Sequence, residues 1–352
     1  MQFAIAIPSD ADSWRIVRRA EELGFARAWF YDTQMLSADP FVAMAAAAVK
    51  TTRIRLGTGV LIPSNRIAPV AANAFASLNK LAPGRIDFGI GSGFTGRRAM
   101  GLGAVKLADM EEYIRVATAL LRGETVEAEI EQNKRLIRLL NPELGLINIR
   151  DPIPLYVAAS GPRARGLAAK LGAGWIVTAG DAAAMADMQE RRRAAGYGAK
   201  PLDAVVMTGG AVLEEGEPTD SPRVVAQAGP RAAMLLHRAA DAALAGLPMM
   251  APMPPAVVET AAEYVELARK FTPQGAYYLE NHRGHLMFVK PEERPFVTAE
   301  LIRSTTFTGT ENELKRRIAE LGDVGYSEIA LQILPGQEHA IEDWGRIRRA
   351  FV

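Results

Sequence analysis

The sequence predicts a (β/α)8 barrel in one domain, 1–352, with an insertion between its seventh and eighth strands. Short strand-like runs alternate with helix-length segments over most of the chain, and parallel strands need a helix-length crossover. Eight such units in 352 residues fit a closed barrel better than a doubly wound sheet. The regularity breaks between Val212 and Ser327, a gap too long for one crossover, so an insertion at about 246–300 is expected inside the seventh unit.

The first strand is read in "QFAIAIP" (2–8), followed by a helix from Asp12 to about Gly24, with acids at its start and glycine at its stop. "FARAWFYD" (25–32) precedes the alanine-rich helix Pro40 to Lys50. "RIRLGTGVL" (53–61) leads to a helix over Ile67 to Leu81, and "RIDFGIG" (85–91) to one over Leu107 to Leu121. After a polar connection containing "NPELG", "IPLYVAAS" (153–160) is followed by a helix at Arg163 to Leu171, and "GWIVTAG" (174–180) by one at Ala182 to Ala195. "DAVVMTGGAVL" (203–213) and "SEIALQILP" (327–335) complete the eight. Between them the reading places helices near 223–244, 257–270 and 310–321. It takes "PMMAPMPP" as a loop between helices, with a mobile lid as the alternative.

Composition narrows the function. No apolar stretch reaches the roughly 20 residues of a membrane helix, and no secretory signal opens the chain, so a cytoplasmic protein is expected. There is no cysteine, which excludes disulfides, thiolate nucleophiles and cysteine metal sites. With 41 basic and 40 acidic residues, nothing electrostatic argues for nucleic acid or an anionic membrane. The run Arg191, Arg192, Arg193 reads as a solvated helix face.

In this architecture ligand groups gather at the C-terminal ends of the strands. Those ends read "YDTQ", "GTGVLIPSNR", "GIGSGF", "ASGP" and "TAGD", and glycine recurs at four of the five or in the turn after them. Glycine allows close approach of a flat ligand, although each one alone also serves an ordinary turn. "ASGP" opens a helix whose free amides suit a phosphate. "GIGSGFTG" fits neither the Rossmann fingerprint nor a P-loop. Asp32 ends an apolar strand, where an acid anchors a ligand, accepts a proton or caps the next segment. Of the four histidines, His282 and His285 share the segment "ENHRGHL". They read as proton donors or substrate groups over the barrel mouth, or as ordinary surface residues. No metal is expected, because no cluster of other ligand types stands at ligand spacing beside them.

The ordered segments "AEELGFARAWFYDTQ", "TTRIRLGTGVLIPSNRIAPVAANAFASLNKLAPGRIDFGIGSGF", "EYIRVATALLRGETV", "IPLYVAASGPRARGLAAKLGAGWIV" and "TFTGTENELKRRIAELGDVGYSEI" resemble the luciferase-like flavin- and F420-dependent oxidoreductases, with the methylenetetrahydromethanopterin reductase-like branch nearest. The resemblance implies a flavin or F420 at the barrel mouth and a non-proline cis peptide at Gly59–Val60 as a backrest for its ring. It places Gly57, Thr58, Gly59, Val60, Gly91, Ser92 and Gly93 beside the cofactor. Ser160 and Gly161 fall at its phosphate, and Thr178, Ala179 and Gly180 along its phosphate or ribityl side. Asp32, His282 and His285 are the catalytic candidates, and Gln34 and Tyr278 the substrate-binding ones. Where many F420 enzymes carry an acid followed by histidine, this chain has Asp32 and Thr33.

That departure points either to His282 or His285 as a substitute acid or to a flavin enzyme, and the reading favours FMN as cofactor over F420, in a reduced-FMN monooxygenase acting on a small organic substrate. A separate NAD(P)H:flavin reductase would supply it, since the chain shows no second nucleotide fold. An F420-dependent reductase or dehydrogenase is the first alternative, and a flavin-binding protein without turnover the second. The resemblance also implies a homodimer.

Overall fold

The computed structural model describes residues 1–249 and 253–351. Eight parallel strands close into a barrel: β1 (Gln2–Ile7), β2 (Arg27–Phe30), β3 (Arg55–Thr58), β4 (Ile86–Ile90), β5 (Leu155–Ala158), β6 (Gly174–Val177), β7 (Ala204–Thr208) and β8 (Glu328–Gln332). Each strand pairs with the next in sequence, and β8 closes on β1 with Gln2 opposite Glu328 and Ala6 opposite Gln332. All eight strands expected from sequence are present.

The outer ring contains α1 (Trp14–Glu22), α2 (Pro40–Ala48), α3 (Ala68–Leu81), the short α4 (Phe94–Arg98), α5 (Leu107–Leu121), α6 (Pro162–Lys170) and α7 (Ala182–Ala194). Local chemistry fixes their starts: Asp39 accepts the amides of Phe41 and Val42 before α2, and Asp181 accepts that of Ala184 before α7. Between β7 and β8 the chain forms α8 (Pro222–Ala245), α9 (Val258–Ala268), α10 (Tyr278–Asn281), α11 (Ala299–Thr305) and α12 (Glu311–Val324), the last opened by a reciprocal Thr310–Glu313 capping box. After β8 comes α13 (Ala340–Arg348). α8, α9 and α11 share an apolar cluster of their own, with Val224, Leu236, Tyr264 and Leu301 buried in it. So α8, which the sequence reading set ahead of the insertion, packs as part of it. Residues 250–252 of the proposed lid lie outside the described residues.

Two expectations are corrected. The polar stretch after α5 holds an antiparallel hairpin, Val126–Ile130 with Asn133–Ile137, turned by Glu131 and Gln132 at φ of 52° and 64°. Neither is glycine or asparagine, so the usual signal of such a turn is absent from the sequence. Arg192 is not solvated. It is buried, and its guanidinium donates to the carbonyls of Ala173, Lys200 and Pro201.

Inside the barrel, the N-terminal end carries a buried ion network. Arg27 donates to Asp87 (2.8 Å), Glu328 (2.6 Å) and the Tyr156 hydroxyl (2.9 Å), and Asp87 also receives Arg55. Trp29 lies above it and donates from its indole to Glu328 at 2.9 Å. A cavity of about 230 Å³ lined by Pro154, Gly174, Arg192 and Asp203 opens at this end, away from the mouth. Among the described residues, no helix is long and apolar enough to cross a membrane.

Candidate active site

The floor of the mouth is the upper layer of the barrel interior, where Tyr31, Val60, Ala158 and Met207 belong to one apolar cluster with Trp29. At its edge the peptide bond Gly59–Val60 is cis, at the position the resemblance implied. The neighbouring glycines divide into two groups. An added Cβ at Gly57 would lie 2.6 Å from the Trp29 ring, and one at Gly89 would lie 2.0 Å from the Thr58 carbonyl oxygen. These two positions are small because the barrel's own core needs the room. Thr58 is fully buried and its hydroxyl donates to the Gly89 carbonyl at 2.6 Å. Gly57 and Thr58, expected at the cofactor, are therefore occupied by packing. At Gly91 a Cβ would meet the Val60 side chain at 2.6 Å, so this glycine sits against the cis ledge itself. Ser92 is half-buried beside it, and Gly93, at φ 77°, turns the chain into α4.

Asp32 is buried under the loop that follows the ledge. Its carboxylate accepts the Ile62 amide at 2.9 Å and Arg66 Nη1 at 3.0 and 3.1 Å, while Arg66 Nη2 also reaches Asp39 at 2.5 Å. Every strong partner of Asp32 is a group of the 60–66 loop. This geometry suits a fastener, not a free base. Gln34 is similarly engaged: it accepts from Asn65 at 2.8 Å and donates to the Gly96 carbonyl at 3.4 Å.

Across the mouth, Ser160, Thr178 and Ala179 are exposed at the ends of β5 and β6. Gly161 caps α6 with no side chain accepting from that helix start and no atom within 4 Å of where its Cβ would be. No side chain occupies this helix start, the position at which the sequence reading expects a phosphate. Gly180 instead packs on Leu321, 2.5 Å from its would-be Cβ.

Arg231 on α8 escaped the sequence reading. It is buried, donates to the Thr178 carbonyl at 3.0 Å, and leaves Nε with no partner. Among the described residues no carboxylate pairs with it. Burial lowers its pKa and raises that of the Tyr31 phenol, against which the Arg231 charge acts. Arg238, about two turns further along the same face of α8, is pushed down to about 10 by burial and by Arg231 and Arg98, and lies over the Phe94 ring. The helical spacing of 231 and 238 is visible in the sequence, but their inward direction is not.

The insertion brings together what the sequence left apart. His237 on α8 meets His285 (Nδ1 to Nδ1, 2.6 Å), and His285 meets His282 (Nδ1 to Nδ1, 3.3 Å). All three rings are buried. His237 Nε2 donates to Glu293 at 2.6 Å and His282 Nε2 to Asp241 at 3.1 Å. Burial depresses His237 despite Glu293, and depresses His285 further with help from the other two rings. Burial also pushes Glu293 up, but His237 and Lys290 outweigh it and hold that carboxyl at about 2. Hence His282 and His285 are not surface residues, and the absence of further ligand-type groups assumed from sequence is corrected by His237, Asp241 and Glu293. The four-residue spacing of His237 and Asp241 on one helix was the available signal. Tyr278, half-buried, covers Gly101 and does not join this cluster's hydrogen bonds.

The family model described as luciferase-like monooxygenase matches residues 8–328. The F420-dependent glucose-6-phosphate dehydrogenase of Beutenbergia cavernae is 41% identical over 145 residues, 39% of this chain and 41% of that protein. The 5,10-methylenetetrahydromethanopterin reductase of Archaeoglobus fulgidus is 29% identical over 184 residues, 51% of this chain and 53% of that one. These matches span about half or less of each relative's length. Among solved structures, the F420-dependent tetrahydromethanopterin reductase from Methanopyrus kandleri superposes with a TM-score of 0.72 at 21% identity, covering 98% of this chain and 97% of its own.

Proposed function

This chain belongs to the luciferase-like monooxygenase family; we propose that it is an F420-dependent oxidoreductase that moves hydride between the deazaflavin and a small organic substrate. The observation that carries the reading is Arg231, a buried cation that pairs with no carboxylate among the described residues and stands at the end of β6 beside Tyr31. A bound deazaflavin supplies a flat ring that exchanges hydride and gains negative charge on reduction. Arg231 offers that charge a fixed counterion in a site shielded from water. The matched F420-dependent relatives support the choice of F420. The FMN monooxygenase preferred on sequence, with its separate reductase, rested on Thr33 replacing a histidine and gives way to its alternative.

The remaining residues take roles by position. Val60 and Gly91 support the face of the ring, and Asp32 with Arg66 holds the loop that carries the ledge. Ser160, Gly161 and the first amides of α6 receive the phosphate of the cofactor tail, with Thr178 and Ala179 along its side. The Tyr31 phenol, kept protonated by burial, is a donor at the floor of the mouth. Parallel fluorescence-quenching titrations with F420 and FMN test the reading. Micromolar binding of F420, at least tenfold tighter than FMN, is expected, followed by bleaching of the deazaflavin absorbance with an oxidisable substrate. Selective FMN binding would return the protein to flavin chemistry.

A further inference from the structure

The hydrogen-bond bookkeeping of the buried histidine cluster does not close with protons alone. Glu293 is ionised: besides His237 it receives the Tyr264 hydroxyl at 3.0 Å, the Lys290 amide at 3.1 Å and the Lys290 ammonium at 2.8 Å. Asp241 is ionised as well, receiving Arg98 at 2.8 Å, Asn281 at 3.1 Å and the Tyr277 hydroxyl at 3.2 Å besides His282. Both carboxylates only accept, so His237 and His282 each carry their proton on Nε2. Each then turns an Nδ1 lone pair inward. His285 Nδ1 faces both lone pairs and has at most one proton for them. Its own Nε2 is buried with no partner at all.

We infer that His237, His282 and His285 form a binding site for one divalent transition-metal ion of the zinc class, ligated through the three Nδ1 atoms. One ring nitrogen from each of the three histidines lies within 4.8 Å of the others. Tetrahedral zinc with Zn–N bonds of about 2.0–2.1 Å sets neighbouring nitrogens about 3.3 Å apart. The His285–His282 pair already has 3.3 Å, and the His237–His285 pair, at 2.6 Å, would open by under about 1 Å to reach it. The outer Nε2–H of two ligands resting on carboxylates is the arrangement that orients metal-bound imidazoles and raises their basicity. Asp241 and Glu293 offset Arg98 and Lys290, and neutral imidazoles are the form that binds metal. The ion would fasten the 282–285 segment to α8. The next residue, Leu286, accepts a hydrogen bond from Gln332 at the end of β8 at 2.7 Å, so the same fastening positions the insertion over the mouth. This inference does not depend on F420 being the cofactor.

The test uses the full chain without an affinity tag, stripped with chelator and then offered Zn2+ or Co2+ alone. One equivalent retained through gel filtration, visible Co2+ ligand-field bands typical of low-coordinate nitrogen ligation, and a higher unfolding midpoint with Zn2+ are expected. His282→Gln and His285→Gln should abolish the stoichiometric ion. Glu293→Gln should weaken it by roughly 10–100-fold, and His339→Gln, outside the cluster, should leave it unchanged. No Co2+ bands and no retained Zn2+ in the folded wild-type chain would overturn the site, independently of how any variant folds. So would retention undiminished in folded His285→Gln, or loss in His339→Gln.

Discussion

Replacing Asp32 by asparagine separates a fastening role from a chemical one. The carboxylate makes one contact to the Ile62 amide and two to Arg66, and it is 1% exposed against 15% for Arg66. Asparagine keeps one acceptor. It must either turn its amide nitrogen toward Arg66, setting donor against donor, or leave the Ile62 amide unpaired. Hydrogen bonds to a charged group contribute about 1.5–3 kcal/mol, and breaking a fully buried pair costs about 3–5 kcal/mol. Arg66 retains Asp39 and some solvent, so about 2–3 kcal/mol is the expected loss. With an unfolding entropy of about 2.1 cal/mol/K per residue, this lowers Tm by roughly 3–4 °C. Because the loop follows Val60, whose side chain is proposed to support the ring, F420 affinity should fall by about tenfold, equivalent to about 1.4 kcal/mol. Thermal unfolding followed by circular dichroism and a fluorescence titration measure these two effects, and single-turnover hydride transfer at saturating F420 measures a third. That rate should drop by no more than a few-fold. If Tm and affinity stay unchanged while the rate falls about 100-fold or more, the size expected for loss of a general acid or base, Asp32 works chemically and the fastening argument is refuted.

Gly161→Val adds a side chain where the structure has open space and an ordinary φ of −90°, so unfolding should be unaffected while F420 binding weakens at least tenfold; a Tm loss with unchanged binding would remove the phosphate from this helix start. Arg231→Gln relieves an uncompensated buried charge, so chemical denaturation should show stability equal to or above the wild type, with F420 affinity or the hydride-transfer rate falling at least tenfold. Arg27→Met leaves Glu328 in the barrel with only the Trp29 indole while Asp87 keeps Arg55, and a stability loss of about 3–5 kcal/mol is expected in denaturant titrations, with F420 affinity unchanged because the network lies at the opposite end from the mouth.

The barrel was legible because its signal is periodic. Alternation of short apolar runs with helix-length segments survives any local ambiguity, and all eight strands fall within the runs read from sequence. The hairpin at 126–137 was hidden because its turn residues, Glu131 and Gln132, carry no turn signature. The site was legible only where the backbone makes it, at the cis Gly59–Val60 bond and the open start of α6. The side chains that complete it come from distant segments: Arg66 reaches back to Asp32, Arg231 reaches from the insertion to Thr178, and His237 reaches forward to His285. Such convergence depends on the direction each helix face takes after packing, which no local pattern encodes. Glycine also carried two meanings in one stretch. Gly57 and Gly89 make room for the barrel's own packing around Trp29 and Thr58, whereas Gly91 stands against the ledge, and only packing distinguishes them.

A comparison of two arginines shows how the fold divides stability from function. Arg27 and Arg231 are both buried. At the closed end of the barrel Arg27 has two carboxylates and a phenol, so burial alone would lower its pKa but the partners raise it above the usual value. At the open end Arg231 has one backbone carbonyl and the edge of a thioether, and its pKa is lowered. A buried cation left so poorly compensated costs stability, and nothing in the packing around it recovers that cost. Such a group persists in a fold when an anion from outside the chain completes it. Beside Tyr31 and the end of β6, Arg231 is the counterion that the proposed deazaflavin reading calls for.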